Sequence, residues 1–61
     1  MPFVQVDWAE GRNDDQKRLL VKKITEAVVE AGKCPPEAVS VIIRDLPKTN
    51  IGKAGILMAD R

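Results

Sequence analysis

Apolar and polar side chains alternate from Phe3 to Trp8, with Val4, Val6 and Trp8 on one side and Phe3, Gln5 and Asp7 on the other. A period of two predicts a strand. Glu10-Gly11-Arg12 breaks the alternation. Asn13 then stands three residues before Gln16, the spacing of a capping box in which each side chain satisfies the other's free backbone donor. A helix is predicted from about Asp14 to Ala31. Asp14 and Asp15 fall in its first turn, where the helix dipole favours negative charge, and Leu20, Ile24, Ala27, Val28 and Ala31 share one face. Gly32 is the predicted stop, because glycine takes the left-handed conformation without a Cβ clash.

Pro35 and Pro36 keep the helix from resuming, and the β-branched run Val39 to Asp45 predicts a second strand. Val39, Val41 and Ile43 form an apolar face suited to the helix, while Ser40, Ile42 and Arg44 point away. From Leu46 to Gly55, one proline, two glycines, Thr49 and Asn50 predict mostly turn, ending in a short hairpin. The predicted helix is roughly 27 Å long and a seven-residue strand roughly 23 Å. The helix therefore carries the chain back along the first strand, and the second lies parallel to it through a right-handed crossover. The expected fold class is α/β (α+β): a single βαβ unit with two parallel strands, one crossover helix and a short C-terminal hairpin, with residues 1–61 forming one domain. One sheet face and both edges stay uncovered, so an obligate oligomer is expected.

Composition strengthens that expectation. A chain of 61 residues buries only roughly 60% of the surface its unfolded form exposes. Phe3 and Trp8 are its only aromatic residues, and Cys34, its one cysteine, has no disulfide partner. With no histidine and one thiol, a metal site is not expected. The net charge of +1, with basic and acidic residues interspersed, argues against nucleic acid or an anionic membrane as partner. No apolar run approaches the roughly 20 residues of a membrane span, and no basic segment followed by a hydrophobic stretch opens the chain. A cytoplasmic location is expected, and the unpaired thiol suits a reducing compartment.

Chemistry enters with Pro2. Methionine followed by proline is a form that methionine aminopeptidase trims, and trimming leaves a secondary amine at the start of the first strand. That amine is a base only when unprotonated; an apolar pocket or a nearby positive charge lowers its pKa by disfavouring the ammonium. A pKa near the working pH is best for moving protons. In a chain without histidine, Pro2 is the natural shuttle. The bland alternative is a proline that begins an edge strand, where the missing N–H does no harm. With Met1 retained, the Pro2 nitrogen is an amide and not a base. Arg12 is the second candidate, since its guanidinium can hold a carboxylate by two parallel hydrogen bonds; a solvated turn arginine is the alternative. Cys34, beside two prolines, reads as a small buried or incidental thiol rather than a nucleophile. Gly52 and Gly55 suit left-handed backbone, close subunit contact or an ordinary loop.

The opening Met1-Pro2-Phe3-Val4, the turn Glu10-Gly11-Arg12 followed by Asp15-Gln16-Lys17, the run Val39 to Ile43, and Gly52 and Gly55 occur in this order. Together they resemble the 4-oxalocrotonate tautomerase family over nearly the whole chain. The resemblance implies a βαβ subunit assembled as a homo-oligomer, a hexamer built as a trimer of dimers, working without a cofactor or metal. It implies Pro2 as the general base and Arg12 as the anchor of a substrate carboxylate across a subunit boundary. Phe3 and Ile51 would wall the pocket. The implied reaction is an enol–keto 1,3-proton transfer on a small 2-hydroxy-dienoate or enolpyruvate-like acid. Two positions depart from the family's best-known member. Ser40 stands where that protein has a second arginine, which polarises the substrate carbonyl and binds its carboxylate, and Ile51 stands where it has phenylalanine. Ile51 still excludes water, whereas Ser40 supplies no charge. Arg44 shares Ser40's strand face, roughly 13 Å further along. Lys48 and Lys53 are the other candidate cations. Two alternatives stay open: a hydratase, dehalogenase or decarboxylase reaction with a protonated Pro2 as acid, and a non-catalytic oligomeric binding module.

Overall fold

Strands β1 (Phe3–Ala9) and β2 (Ser40–Leu46) pair in parallel, from Phe3 opposite Ser40 to Ala9 opposite Leu46. The computed structural model describes residues 1–61. Helix α1 (Asp14–Gly32) makes the crossover between the strands. Its start follows from the capping box. The Asn13 side chain accepts from the Gln16 amide, and the Gln16 side chain accepts from the Asn13 amide, both at 2.9 Å.

The end of the helix differs from expectation. The Lys33 amide still reaches the Val29 carbonyl at 3.0 Å, so helical bonding continues through Gly32, and Lys33 makes the left-handed turn at φ 54°. The left-handed residue is the one at which the helical bonding ends, whatever its identity. A β-carbon there costs about 1 kcal/mol.

The second strand is also displaced by one residue. The Val39 amide donates to Pro36 at 3.1 Å, closing a single 3-10 turn over Pro36–Ala38, so the ladder starts at Ser40. It continues to Leu46, whose carbonyl accepts from Glu10 at 3.0 Å. After another 3-10 turn at Lys48–Asn50, β3 (Gly52–Lys53) and β4 (Ile56–Leu57) form an antiparallel hairpin separate from the first sheet. Ala54 and Gly55 turn it with φ of 54° and 81°. Two successive positive φ values belong to the mirror-image turns that match strand twist. Gly55 suits such a position and Gly52 does not require it, having ordinary backbone and room for a β-carbon 3.9 Å from the Ile56 carbonyl oxygen.

Val4, Val6, Trp8, Val41 and Ile43 line the half-buried side of the sheet, and Leu20, Ile24 and Val28 are half-buried in the helix, together with Lys17, Thr25 and Val29. Ala27 and Ala31, expected on that helix face, are exposed. No residue of the protomer is fully buried. Phe3 and Ile42, on the opposite sheet face, are 65% and 45% exposed. The accessible surface is 4696 Å², about 800 Å² more than the roughly 3,900 Å² of a compact protein of 6.7 kDa. The radius of gyration is 14.5 Å, against about 10.5 Å for a compact domain of this length. The protomer is thus a slab of 43 × 23 × 13 Å, one helix and one two-stranded ladder thick. No helix is long and apolar enough to cross a membrane.

Candidate active site

The candidate residues occupy two places. At the start of the ladder, the Pro2 carbonyl accepts from the Ser40 amide at 3.0 Å, which fixes the half-buried proline beside the first residue of β2. Met1, in front of it, is 89% exposed. Phe3 and Ser40 are register partners on the outer sheet face, followed by Gln5 and Ile42, so the surroundings supplied by the same sheet face are neutral.

Charge appears only two register positions later, at Asp7 and Arg44. Arg44 donates from Nε to Asp7 Oδ1 at 2.6 Å and from Nη2 to Oδ2 at 2.9 Å, a two-pronged pair. With its amide oxygen turned toward the guanidinium, Gln5 accepts from Arg44 Nη2 at 2.9 Å as well. The Arg44 hydrogen bond holds the Asp7 carboxyl below the usual carboxylate range, and Asp7 raises Arg44 in return. The fold therefore brings Arg44 to Asp7 and not to Pro2.

At the other end of β1, Gly11 takes a φ of 129° that favours glycine, and the chain reverses into the helix cap. Arg12 folds back over this turn. Its Nη1 donates to the Ala9 carbonyl at 2.9 Å, and its guanidinium carbon lies 4.7 Å from the centre of the Trp8 ring. Nε and Nη2 make no hydrogen bond within the chain. Trp8 is itself held, since its Nε1 donates to Asp45 Oδ1 at 2.6 Å, and the other Asp45 oxygen accepts from Lys17 Nζ. The Lys17 hydrogen bond, then that of Trp8, keeps the Asp45 carboxyl below its ordinary range. Trp8, Arg12, Gln16, Leu19, Leu20 and Lys23 line a groove of about 360 Å³. A larger groove of about 480 Å³, along Asp14, Lys17, Arg18, Val21 and Lys22, holds none of the candidate residues.

Ile51 follows the Lys48–Asn50 turn beyond the Leu46 end of β2; it is half-buried, and its carbonyl accepts from Met58 at 2.8 Å. Lys48 and Lys53 are exposed. Cys34 is half-buried, its Sγ 4.0 Å from the Val28 carbonyl oxygen.

Two groups thus emerge: Pro2, Phe3 and Ser40 at one end of the ladder, Arg12 at the other. The strand between them is roughly 23 Å long, so no small molecule touches both Pro2 and Arg12 of one copy. The support of Arg12 by Trp8, Asp45 and Lys17 was missed in the sequence. The four-residue spacing of Trp8 and Arg12 around a glycine was its only local sign.

The sequence pattern of the tautomerase enzyme family matches residues 2–61. A probable tautomerase of Listeria monocytogenes is 43% identical over 60 residues, covering 98% of each chain. The 2-hydroxymuconate tautomerase of Comamonas testosteroni is 46% identical over 56 residues, covering 92% of this chain and 89% of its own. Among solved structures, a heterohexamer 4-oxalocrotonate tautomerase from Chloroflexus aurantiacus superposes with a TM-score of 0.93 at 32% identity, covering 98% of this chain and 97% of that one. The parallel βαβ unit with its terminal hairpin is the fold of these relatives. The matches span almost the whole chain, and the chain belongs to the tautomerase family, which supports an isomerase role for it.

Proposed function

We propose that this chain is a cofactor-independent tautomerase whose site is shared between copies, with Pro2 of one subunit as general base and Arg12 of another as carboxylate anchor. The observation that carries this reading is the separation of a half-buried Pro2 from an Arg12 with a free guanidinium edge, within a protomer that buries no residue. A homo-oligomer, six copies arranged as a trimer of dimers, would close the site. The heterohexamer among the relatives supports an assembly of this size.

Removal of Met1, itself 89% exposed, frees the Pro2 nitrogen as a secondary amine. Covering that nitrogen with a neighbouring copy lowers its pKa by penalising the ammonium form. The neutral amine takes the hydroxyl proton of a small 2-hydroxy-dienoate or enolpyruvate-like acid. The oxygen electron pair forms the carbonyl, the double bonds shift, and the ammonium returns the proton to carbon, so the base is regenerated. Arg12 keeps the carboxylate in place through Nε and Nη2, while Phe3 and Ile51 keep water from the pocket. Ser40 offers the developing oxyanion a neutral hydrogen bond, weaker than a charged one. Arg44, paired with Asp7, adds no charge at the substrate.

The neutrality of Ser40 favours one second reading, an assembly that binds enol acids without turning them over. Both readings meet the same test. Intact mass establishes loss of Met1, and ketonisation of 2-hydroxymuconate and of an aryl enolpyruvate is followed for the native chain and Pro2→Ala. Loss of roughly 10²- to 10⁴-fold in kcat/KM is expected, the usual contribution of a positioned acid–base group. Equal rates in the two trimmed proteins overturn the proposal.

A further inference from the structure

Arg12 is held more closely than an exposed turn arginine needs to be. Its guanidinium carbon lies over the Trp8 ring, one Nη1 bond goes to Ala9, and the remaining edge carries two parallel donors. That edge is the one that matches a carboxylate in fork geometry. A free arginine samples many rotamers and loses them when it binds; one already stacked and bonded loses few.

Behind Arg12 the supports continue. The indole is kept from turning by its bond to Asp45, and Asp45 is tied to Lys17 in the first turns of α1. Lys17 is itself bonded through its amide to the Asn13 carbonyl at 3.2 Å, within the helix start that Arg12 precedes. The carboxylate on the indole N–H also enriches the ring in electron density, which strengthens its attraction for a cation on its face. Strand β1, strand β2 and helix α1 therefore converge on the pose of one guanidinium.

We propose that Trp8, fixed by Asp45 and Lys17, is a positioning residue that sets Arg12 in its carboxylate-binding pose before the ligand arrives. The proposal rests on Arg12 as the carboxylate anchor. It predicts an effect on binding rather than on proton transfer, because Trp8 touches the anchor and not the reacting atoms. Trp8→Leu keeps an apolar side chain on the helix-facing side of the sheet and removes the aromatic face. Trp8→Phe keeps a face without the N–H, and Asp45→Asn keeps an acceptor for the indole without the charge.

The experiment combines kinetics with binding of cis,cis-muconate, a conjugated diacid that lacks the hydroxyl needed for ketonisation. Trp8 is the only tryptophan, so its fluorescence reports on its own surroundings, and calorimetry follows the variants that lack it. Trp8→Leu is expected to raise KM and the muconate Kd about five- to tenfold with kcat within about twofold, the size of a partly exposed cation–aromatic contact. Trp8→Phe should recover most of that loss, and Asp45→Asn should lie between. Muconate should change the native fluorescence saturably and leave that of Arg12→Ala unchanged. Native KM and Kd in an assembled Trp8→Leu protein overturn the proposal. So does loss of assembly, by sedimentation, with no rescue by phenylalanine, since Trp8 is then structural only. If the native chain binds muconate through Arg12 and Trp8 yet ketonises neither enol, the catalytic reading fails and the platform stands. If it ketonises and Arg12 governs binding but Trp8 does not, the platform fails alone.

Discussion

At the Arg12 end of the ladder, one copy settles almost everything: a glycine turn, a capping box, a ring under the guanidinium, and a carboxylate and an ammonium behind the ring. At the Pro2 end, the same copy contributes a single backbone bond to Ser40, and the neighbours on the outer face are an exposed Phe3 and a neutral serine. On the proposed function, the anchoring end is built before assembly and the reacting end waits for it. Such a division suits the two tasks. A guanidinium needs a fixed direction in order to select a ligand, whereas an amine needs a dry cover in order to be neutral, and a slab 13 Å thick has no cover of its own.

The largest expected effect comes from separating the two ends onto different chains. Pro2→Ala and Arg12→Ala are each expected to be nearly inactive. Unfolded together in equal amounts and refolded, they should recover about a quarter of native activity, the fraction of shared sites that receive one intact member of each kind. No recovery in properly assembled mixtures would place both residues' roles within one copy.

A smaller change comes from adding charge where the reacting end has none. Ser40→Arg is expected to raise kcat/KM for an enol bearing a second carboxylate, relative to one with an uncharged tail, by about tenfold, in line with one charge-assisted hydrogen bond. An unchanged ratio between the two substrates would mean that Ser40 does not face the substrate.

The smallest effect is expected from acid. Asp7 and Asp45 have carboxyl pKa values below their ordinary 3.8. Their stabilising contribution is therefore complete above that value and is lost as pH falls through the depressed ones. Urea midpoints at fixed salt should be level from about pH 7 to about pH 5 as far as these groups are concerned, and should fall toward about pH 3. Asp45→Asn and Asp7→Asn should each lessen the fall. The groups are partly solvated, with side-chain exposures of 41% for Asp7 and 34% for Asp45, so the differences will be modest and weaker at high salt.

Both strands, the capping box and the parallel crossover could be read from the chain because each depends on neighbours in sequence: alternation for Phe3 to Trp8, a three-residue spacing for Asn13 and Gln16. The helix end was misplaced at Gly32, because side-chain identity suggests a left-handed residue whereas backbone bonding decides it at Lys33. The hairpin was foreseen, but its paired residues run to Leu57, past the turn-rich stretch. Pro2 and Arg12 stood out through residue type, position and the resemblance, not through any visible proximity. Pairs such as Trp8 with Asp45 and Asp7 with Arg44 lie 37 residues apart in sequence. They meet only because β1 and β2 align without a one-residue slip, and no local pattern reveals that alignment.

A protomer with no sheltered side chain has one further consequence. If copies assemble as proposed, its folding and its partnering become a single concentration-dependent event. Activity on dilution should then fall faster than the number of chains, and a cell making few copies would have polypeptide but no enzyme.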